Sequence, residues 1–410
     1  MNLVYERCCG LDIHQKTIAA CRITPGPDGT AQKEIKSFQT MTDDVLALGK
    51  WLSEGGVTHV AMESTGIYWQ PIYNLLEDQF TLLLVNARHV KAVPGRKTDI
   101  RDCEWLADLL QHGLLKASFV PNREQRELRQ LTRYRTTLAD TRSAEVKRLQ
   151  KTLEASNIKL RSVASDILGK SGREMLNELS NGTTDAAKLA NLAKGTLRNK
   201  IPELQRALDG RFGAHQRFMV AEHLAQIDAL EAQIERFDQE VATRTEPFKE
   251  ELAKLDQMPG FGIRAAENVV AEIGVDMTRF PTAHHLASWA RLCPGSNESA
   301  GKQRSAPTGR GNPWLRRTLV QTAHAAGHTK SYFGAQYRRL RRRRGAQKAT
   351  IAVSHSQLVT VYHLLRVPGA HFTDLGPDYF DEHDRTALEH RHVNALEKLG
   401  YNVQLQPRAA

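Results

Sequence analysis

The chain has 410 residues, 40% hydrophobic and 25% charged, enough to build a sizeable core in roughly two to three domains of about 150 residues each. Its 57 Lys and Arg outnumber its 46 Asp and Glu, and the resulting +11 points to a polyanionic partner, nucleic acid being the commonest. No run reaches the roughly 18 apolar residues of a membrane helix, MNLVYERCCGLD has no signal-peptide core, and the five cysteines (8, 9, 21, 103, 293) lack metal or redox spacing. Membrane-spanning, secreted and disulfide-scaffold classes are therefore not expected, and a reducing cytoplasm is.

In chain order, 3–13 and 17–24 read as strands around a tight HQK connection, and 34–40 as a third strand beyond the PGPDGTA turn cluster. A helix at 42–53 follows Thr42, then VTHVAME (57–63) as a buried strand, a helix over 68–78, and TLLLVN (81–86) as another strand. Past a PGRKT loop, 99–113 has helical apolar spacing and Gly113 to end it. Strands followed by strand–helix alternation predict a mixed α/β sheet with helices on its faces over 1–120.

Residues 121–157 read as one long charged helix with a leucine stripe at 128, 131, 138, 149 and 153, and 212–256 as a second with apolar residues three or four apart. Between them, 165–210 reads as short helices and loops. The long pair is expected to form an antiparallel hairpin or to mediate dimerisation, and core packing within one chain accounts for it equally well. This helical, coiled-coil-like middle spans 121–256, and a mainly α C-terminal domain spans 257–410. In the latter, LDQMPGFGIRAAENVVAEIG reads as helix, P-G-F-G hairpin, helix, resembling the helix–hairpin–helix that holds nucleic-acid phosphates nonspecifically.

Charge is unevenly spread. Residues 1–115 hold 11 Lys/Arg against 14 Asp/Glu, whereas 299–350 hold 13 Lys/Arg and no acid. That window contains Lys302, Arg304, Arg310, Arg316 and Arg317 among Gly- and Ser-rich loops, and the run Arg341, Arg342, Arg343 and Arg344. These nine are the candidate nucleic-acid contacts.

Four acids stand out by position. Asp12 ends the first strand, Glu63 ends VTHVAME, and Asp99 and Asp102 lie three apart on one helical face. Strand-end acids facing an acidic helix are what hard cations such as Mg²⁺ need, and two such ions assist phosphodiester cleavage. Taken singly, each acid reads better as a solvated loop or cap residue; jointly, two strand-end acids plus D-x-x-D favour a metal site.

GLDIHQ (10–15), MESTGIYW (62–69) and GRKTDIRDCEWLADLL (95–110) resemble the DEDD motifs of a prokaryotic insertion-sequence transposase family. The resemblance implies an RNase H/RuvC-like N-terminal domain with Asp12, Glu63, Asp99 and Asp102 as catalytic Mg²⁺ ligands. It also implies DNA recombination guided by a structured bridge RNA. The segment 286–326 resembles that family's C-terminal transposase domain, in which the serine of P-x-x-x-x-S-x-G-K is a nucleophile. Carried over, that serine is Ser299, and Ser296 and Ser305 are its competitors. The implied partners are DNA (element ends and target) and guide RNA, with a homo-oligomer, dimer or tetramer, in the prokaryotic cytoplasm and no membrane. The leucine stripes further raise a composite site shared between protomers. A RuvC-like junction resolvase acting by metal-dependent hydrolysis is the alternative, and a non-enzymatic nucleic-acid-binding protein is a second.

Overall fold

The computed structural model describes residues 3–27, 29–64, 66–86, 102–293, 298–299, 301–303, 308–309, 311–383 and 385–406. They form two compact units, 1–123 and 124–410.

The first unit is a five-stranded sheet in the order β3-β2-β1-β4-β5. Strands β1 (Cys8–Ile13), β2 (Thr17–Pro25) and β3 (Ala31–Gln39) form an antiparallel meander. Strands β4 (His59–Glu63) and β5 (Thr81–Val85) then extend it in parallel from β1. Helices α1 (Thr42–Glu54) and α2 (Trp69–Leu76) cover one face, and α3 (Asp102–Gln111) covers the other.

Alternation along the strands divides the core. Cys9, Leu11, Ile13, Val60 and Met62 pack with α1 and α2, while Cys8, Cys21, Ile23 and Ala61 pack with Cys103, Ala107 and Leu110 of α3. The first strand begins at Cys8 rather than at residue 3. The backbone N–H groups of Val4 and Tyr5 instead donate to Gln111 O at the end of α3 (2.9 and 3.2 Å), so they are withdrawn from the ladder.

The second unit is helical. Helices α4 (Arg123–Ala155) and α9 (Ala214–Thr245) form an antiparallel hairpin within the chain. Leu138 meets Leu230 and Ile234, and Leu128 meets Val241 and Ala271. Farther along, Leu149 and Leu153 join Val220, Leu224 and Ile227 in a core capped by four short helices. These are α5 (Leu160–Val163), α6 (Lys170–Ser180), α7 (Ala186–Ala190) and α8 (Ile201–Leu208). Leu128, Leu138, Leu149 and Leu153 of the first stripe are thus buried inside one chain.

The continuous helix expected over 212–256 is broken. It stops at Thr245, passes through a 3₁₀ turn at Glu246–Phe248 and restarts as α10 (Lys249–Asp256). Pro247 has no N–H to donate and its ring obstructs the preceding turn.

The remaining helices are α11 (Ile263–Ile273), α12 (Ala283–Trp289), α13 (Pro313–Gly327), α14 (Tyr332–Arg344), α15 (Ala346–Arg366), α16 (Tyr379–His383) and α17 (Arg385–Glu397). Helices α10 to α15 bury one core that includes Leu255, Val269, Leu286, Leu315, Leu319, Phe333, Val353 and Leu358. Between α10 and α11 the P-G-F-G turn takes Gly260 to φ +85°. A Cβ there would lie 2.2 Å from Thr322 O, so glycine is required both by the turn and by the approach of α13. Among the described residues, no helix is long and apolar enough to cross a membrane.

Candidate functional site

Two places bring the sequence-selected residues together, one in each unit. In the first, β1 and β4 run parallel with Leu11 beside Met62, which carries Asp12 alongside Glu63 at the strands' carboxyl ends. Cys8 and Ala61 face α3, so Asp12 and Glu63, an even number of residues further on, project to that same face.

Helix α3 runs antiparallel to β1. Its C-terminal Gln111 meets Val4 and Tyr5, while Cys103, Leu106 and Ala107 lie on Gly10. A Cβ at residue 10 would stand 2.3 Å from Cys103 O and 2.5 Å from Ala107 N, so the helix lies directly on the strand backbone. The N-terminus of α3, which begins with Asp102, is thereby brought to the sheet edge that Asp12 and Glu63 occupy.

The local field is negative. Burial raises the pKa of the Cys103 thiol, and the carboxylates of Asp12 and Glu104 raise it further. His14 lies beside Asp12, its Nε2 3.2 Å from Asp12 Oδ2. His14 was not among the residues selected from sequence, although its place two residues beyond Asp12, on the same face, is the signal that finds it. Lys33 lies at the opposite end of α3, paired with Asp108 at 2.6 Å.

These oxygen donors suit a hard cation such as Mg²⁺. Asp99 lies outside the described residues, and among the described residues no three His, Cys, Asp or Glu gather closely enough to hold an ion.

In the second place, Ser299 belongs to a two-stranded hairpin, β6 (Glu298–Ser299) and β7 (Lys302–Gln303), with Ser299 directly opposite Lys302. Gly301 sits in the two-residue connection at φ +72°, a conformation that explains the glycine of S-x-G-K. The competing serines Ser296 and Ser305, with Arg304 and Arg310, lie outside the described residues.

Arg316 and Arg317, on α13, are engaged within the chain. Arg316 donates to Gly309 O (3.2 Å) and to Thr308 Oγ1, and Arg317 forms a two-pronged pair with Asp140 of α4 at 2.5 Å. The pairing holds the Asp140 carboxyl below its ordinary pKa. Arg341, Arg342, Arg343 and Arg344 form the last turn of α14, all exposed and none in an ion pair among the described residues. Cations at a helix C-terminus also complement its dipole, so stability contributes to their placement.

Both places fall within matches to known proteins. Residues 9–158 match a DEDD-type IS110 transposase model described as "Transposase", and residues 252–338 match the "Transposase IS116/IS110/IS902 family". One relative is the "Insertion element IS110 uncharacterized 43.6 kDa protein" of Streptomyces coelicolor, 33% identical over 115 residues, covering 27% of this chain and 28% of that one. Another is a "Probable family 20 transposase" of Pseudomonas aeruginosa, 24% identical over 270 residues, covering 65% and 70%.

The two matches, in chain order over 9–158 and 252–338, are both to transposases and define a protein of the transposase class. The chain belongs to the IS110/IS116/IS902 family of transposases.

Proposed function

We propose that this chain is the recombinase of an insertion sequence, acting on DNA through a RuvC-like acidic site and a serine nucleophile in the prokaryotic cytoplasm. The observation that carries it is the shared edge of Asp12, Glu63 and the N-terminus of α3, built on a sheet whose order, three antiparallel strands and then two parallel ones, is that of an RNase H-like fold. Asp12, Glu63, Asp99 and Asp102 would hold Mg²⁺, which when bound polarises phosphate oxygens and steadies the charge that develops on them.

Ser299 Oγ gives up its proton and attacks a DNA phosphorus. The bond from phosphorus to the leaving sugar oxygen breaks as that oxygen takes a proton, and the new serine ester keeps the bond energy for rejoining. Lys302, opposite Ser299 in the hairpin, supplies positive charge to the phosphate. Arg304, Arg310 and the four arginines of α14 are assigned to nucleic-acid backbone, with DNA and a structured guide RNA as partners, in a homo-oligomer. The P-G-F-G turn and α11 serve as the helix–hairpin–helix element of that surface.

The test is strand exchange between plasmids carrying the element's ends and target. Asp102→Asn, Ser299→Ala and excess EDTA should each abolish it while DNA binding survives. RNA matching the DNA beside the gene should co-purify with the protein. Cleavage persisting in Ser299→Ala would favour metal-dependent hydrolysis alone, as in a junction resolvase.

A further inference from the structure

Ser299 lies in the chain between two stems, one leaving α12 and one entering α13, and these stems touch. Arg291, just after α12, adopts φ +54° as the left-handed residue of a Schellman helix ending, its N–H donating to Ser288 O (3.1 Å) while that of Leu292 donates to Ala287 O (3.1 Å). The second stem lies against this helix end. A Cβ on Gly311 would lie 2.4 Å from Ala290 O and 2.9 Å from Arg291 Cβ, and one on Gly309 would lie 3.3 Å from Arg291 Cδ. The two ends of the serine segment are therefore pressed together backbone to backbone.

The second stem is also tied at two further points. Arg316 reaches back from the first turn of α13 to Gly309 O and Thr308 Oγ1. Asn312 caps α13, its Oδ1 accepting from the N–H groups of Trp314 (3.0 Å) and Leu315 (3.2 Å). Its Nδ2 donates to Glu272 Oε2 at 2.6 Å. Glu272, only 2% exposed on α11, is itself fixed by Arg133 of α4, which donates to Oε1 and Oε2 at 2.7 and 2.8 Å. Arg129 of the same helix lies 3.5 Å from Oε2. A rigid ion cluster thus extends by one hydrogen bond to the residue that ends the serine segment.

We propose that Glu272, Asn312 and Arg316 are positioning residues that hold the stem of the Ser299 hairpin for phosphoryl transfer. This rests on the assignment of Ser299 as nucleophile. Arg316 accordingly acts on its own chain, Nη1 donating to Gly309 O and Nη2 to Thr308 Oγ1, rather than on a nucleic-acid phosphate.

Three variants test it, all in the full chain. Asn312→Asp keeps the cap acceptor, loses the N–H donor and sets a second carboxylate against Glu272. Combining it with Glu272→Gln lets the new amide donate to position 312 and returns the cluster to a single carboxylate, while Arg133 keeps the acceptor at Oε1 and gives up the one at Oε2. Arg316→Met removes the other tie without touching the cap, and carries the test if Asn312→Asp does not fold. The readouts are the single-turnover rate of covalent attachment of Ser299 to DNA at saturating DNA, and the DNA affinity.

Asn312→Asp and Arg316→Met should each slow attachment at least about tenfold, as misplacement of a reacting group by a fraction of an ångström does. Affinity should remain within about twofold, because positioning acts on the step rather than on binding. The double variant should recover most of the rate. Unchanged rates in both single variants overturn the proposal and leave the serine assignment standing. Lost affinity in Arg316→Met, with a normal rate at saturation, overturns it in favour of a phosphate contact. No attachment in the unaltered protein, on DNA that it cuts, overturns the serine assignment and the positioning role with it.

Discussion

Replacing Gly10 by Ala is the sharpest single test of how the acidic edge is built. The new Cβ would stand 2.3 Å from Cys103 O, 2.5 Å from Ala107 N and 2.9 Å from Leu106 Cβ, whereas ordinary contact begins at 3.4 Å. Two of these obstacles are backbone atoms of α3, so no side-chain rotation relieves the clash, and the helix must withdraw by about 1 Å. Overpacking of this kind costs about 1–3 kcal/mol. The same withdrawal carries Asp102 away from Asp12 and Glu63, and a shift of about 1 Å in a catalytic constellation costs on the order of 10²-fold in rate. Urea unfolding measures the first effect and single-turnover DNA cleavage at saturating protein the second, with DNA affinity expected to stay unchanged. A Gly10→Ala protein with normal stability and normal cleavage would refute the direct seating of α3 on β1 and its role in aligning the acids.

Asp12→Asn and Glu63→Gln should each reduce cleavage by at least about 10²-fold with DNA binding retained, which gel-shift and cleavage assays on the same preparation check. Changing Arg341, Arg342, Arg343 and Arg344 together to Gln should flatten the slope of log K against log salt by about three to four units, and an unchanged slope would make the run a solvated helix end. A pH effect is expected in the helical hairpin. Burial alone would raise the pKa of Glu145, but hydrogen bonds from His223 (2.5 Å) and Arg148 (2.5 Å) outweigh it and hold the carboxyl below its usual 4.5. A depressed folded pKa gives stability that is present above 4.5 and lost as pH falls through the folded value. Urea midpoints measured from pH 7 to 3 should therefore fall less steeply below 4.5 in His223→Leu, and an identical fall in both proteins would remove the pair as the cause.

The sheet and the two long helices were legible because their apolar residues repeat at periods set by strands and helices, and the strand-end acids came with them. What escaped was set by contacts distant in sequence. Val4 and Tyr5 have strand-like character but spend their N–H groups on Gln111, more than a hundred residues away. Arg317 reads as a phosphate contact by charge alone, yet Asp140, separated from it by 177 positions, takes both its prongs. The break at Pro247 also escaped although its signal is local, proline at the first turn of a helix marking a start that the apolar spacing over 212–256 overrode. The leucine stripes left pairing within or between chains undecided, because both bury the same face.

The measurement that bears most directly on the central claim is the chemistry at Ser299. Protein mixed with element-end DNA and Mg²⁺, quenched in denaturant and digested, should yield a peptide containing Ser299 esterified to a DNA phosphate. Asp102→Asn and EDTA should suppress it. DNA cut at a normal rate with no protein-linked phosphate, or with the phosphate on any other residue, would contradict the account.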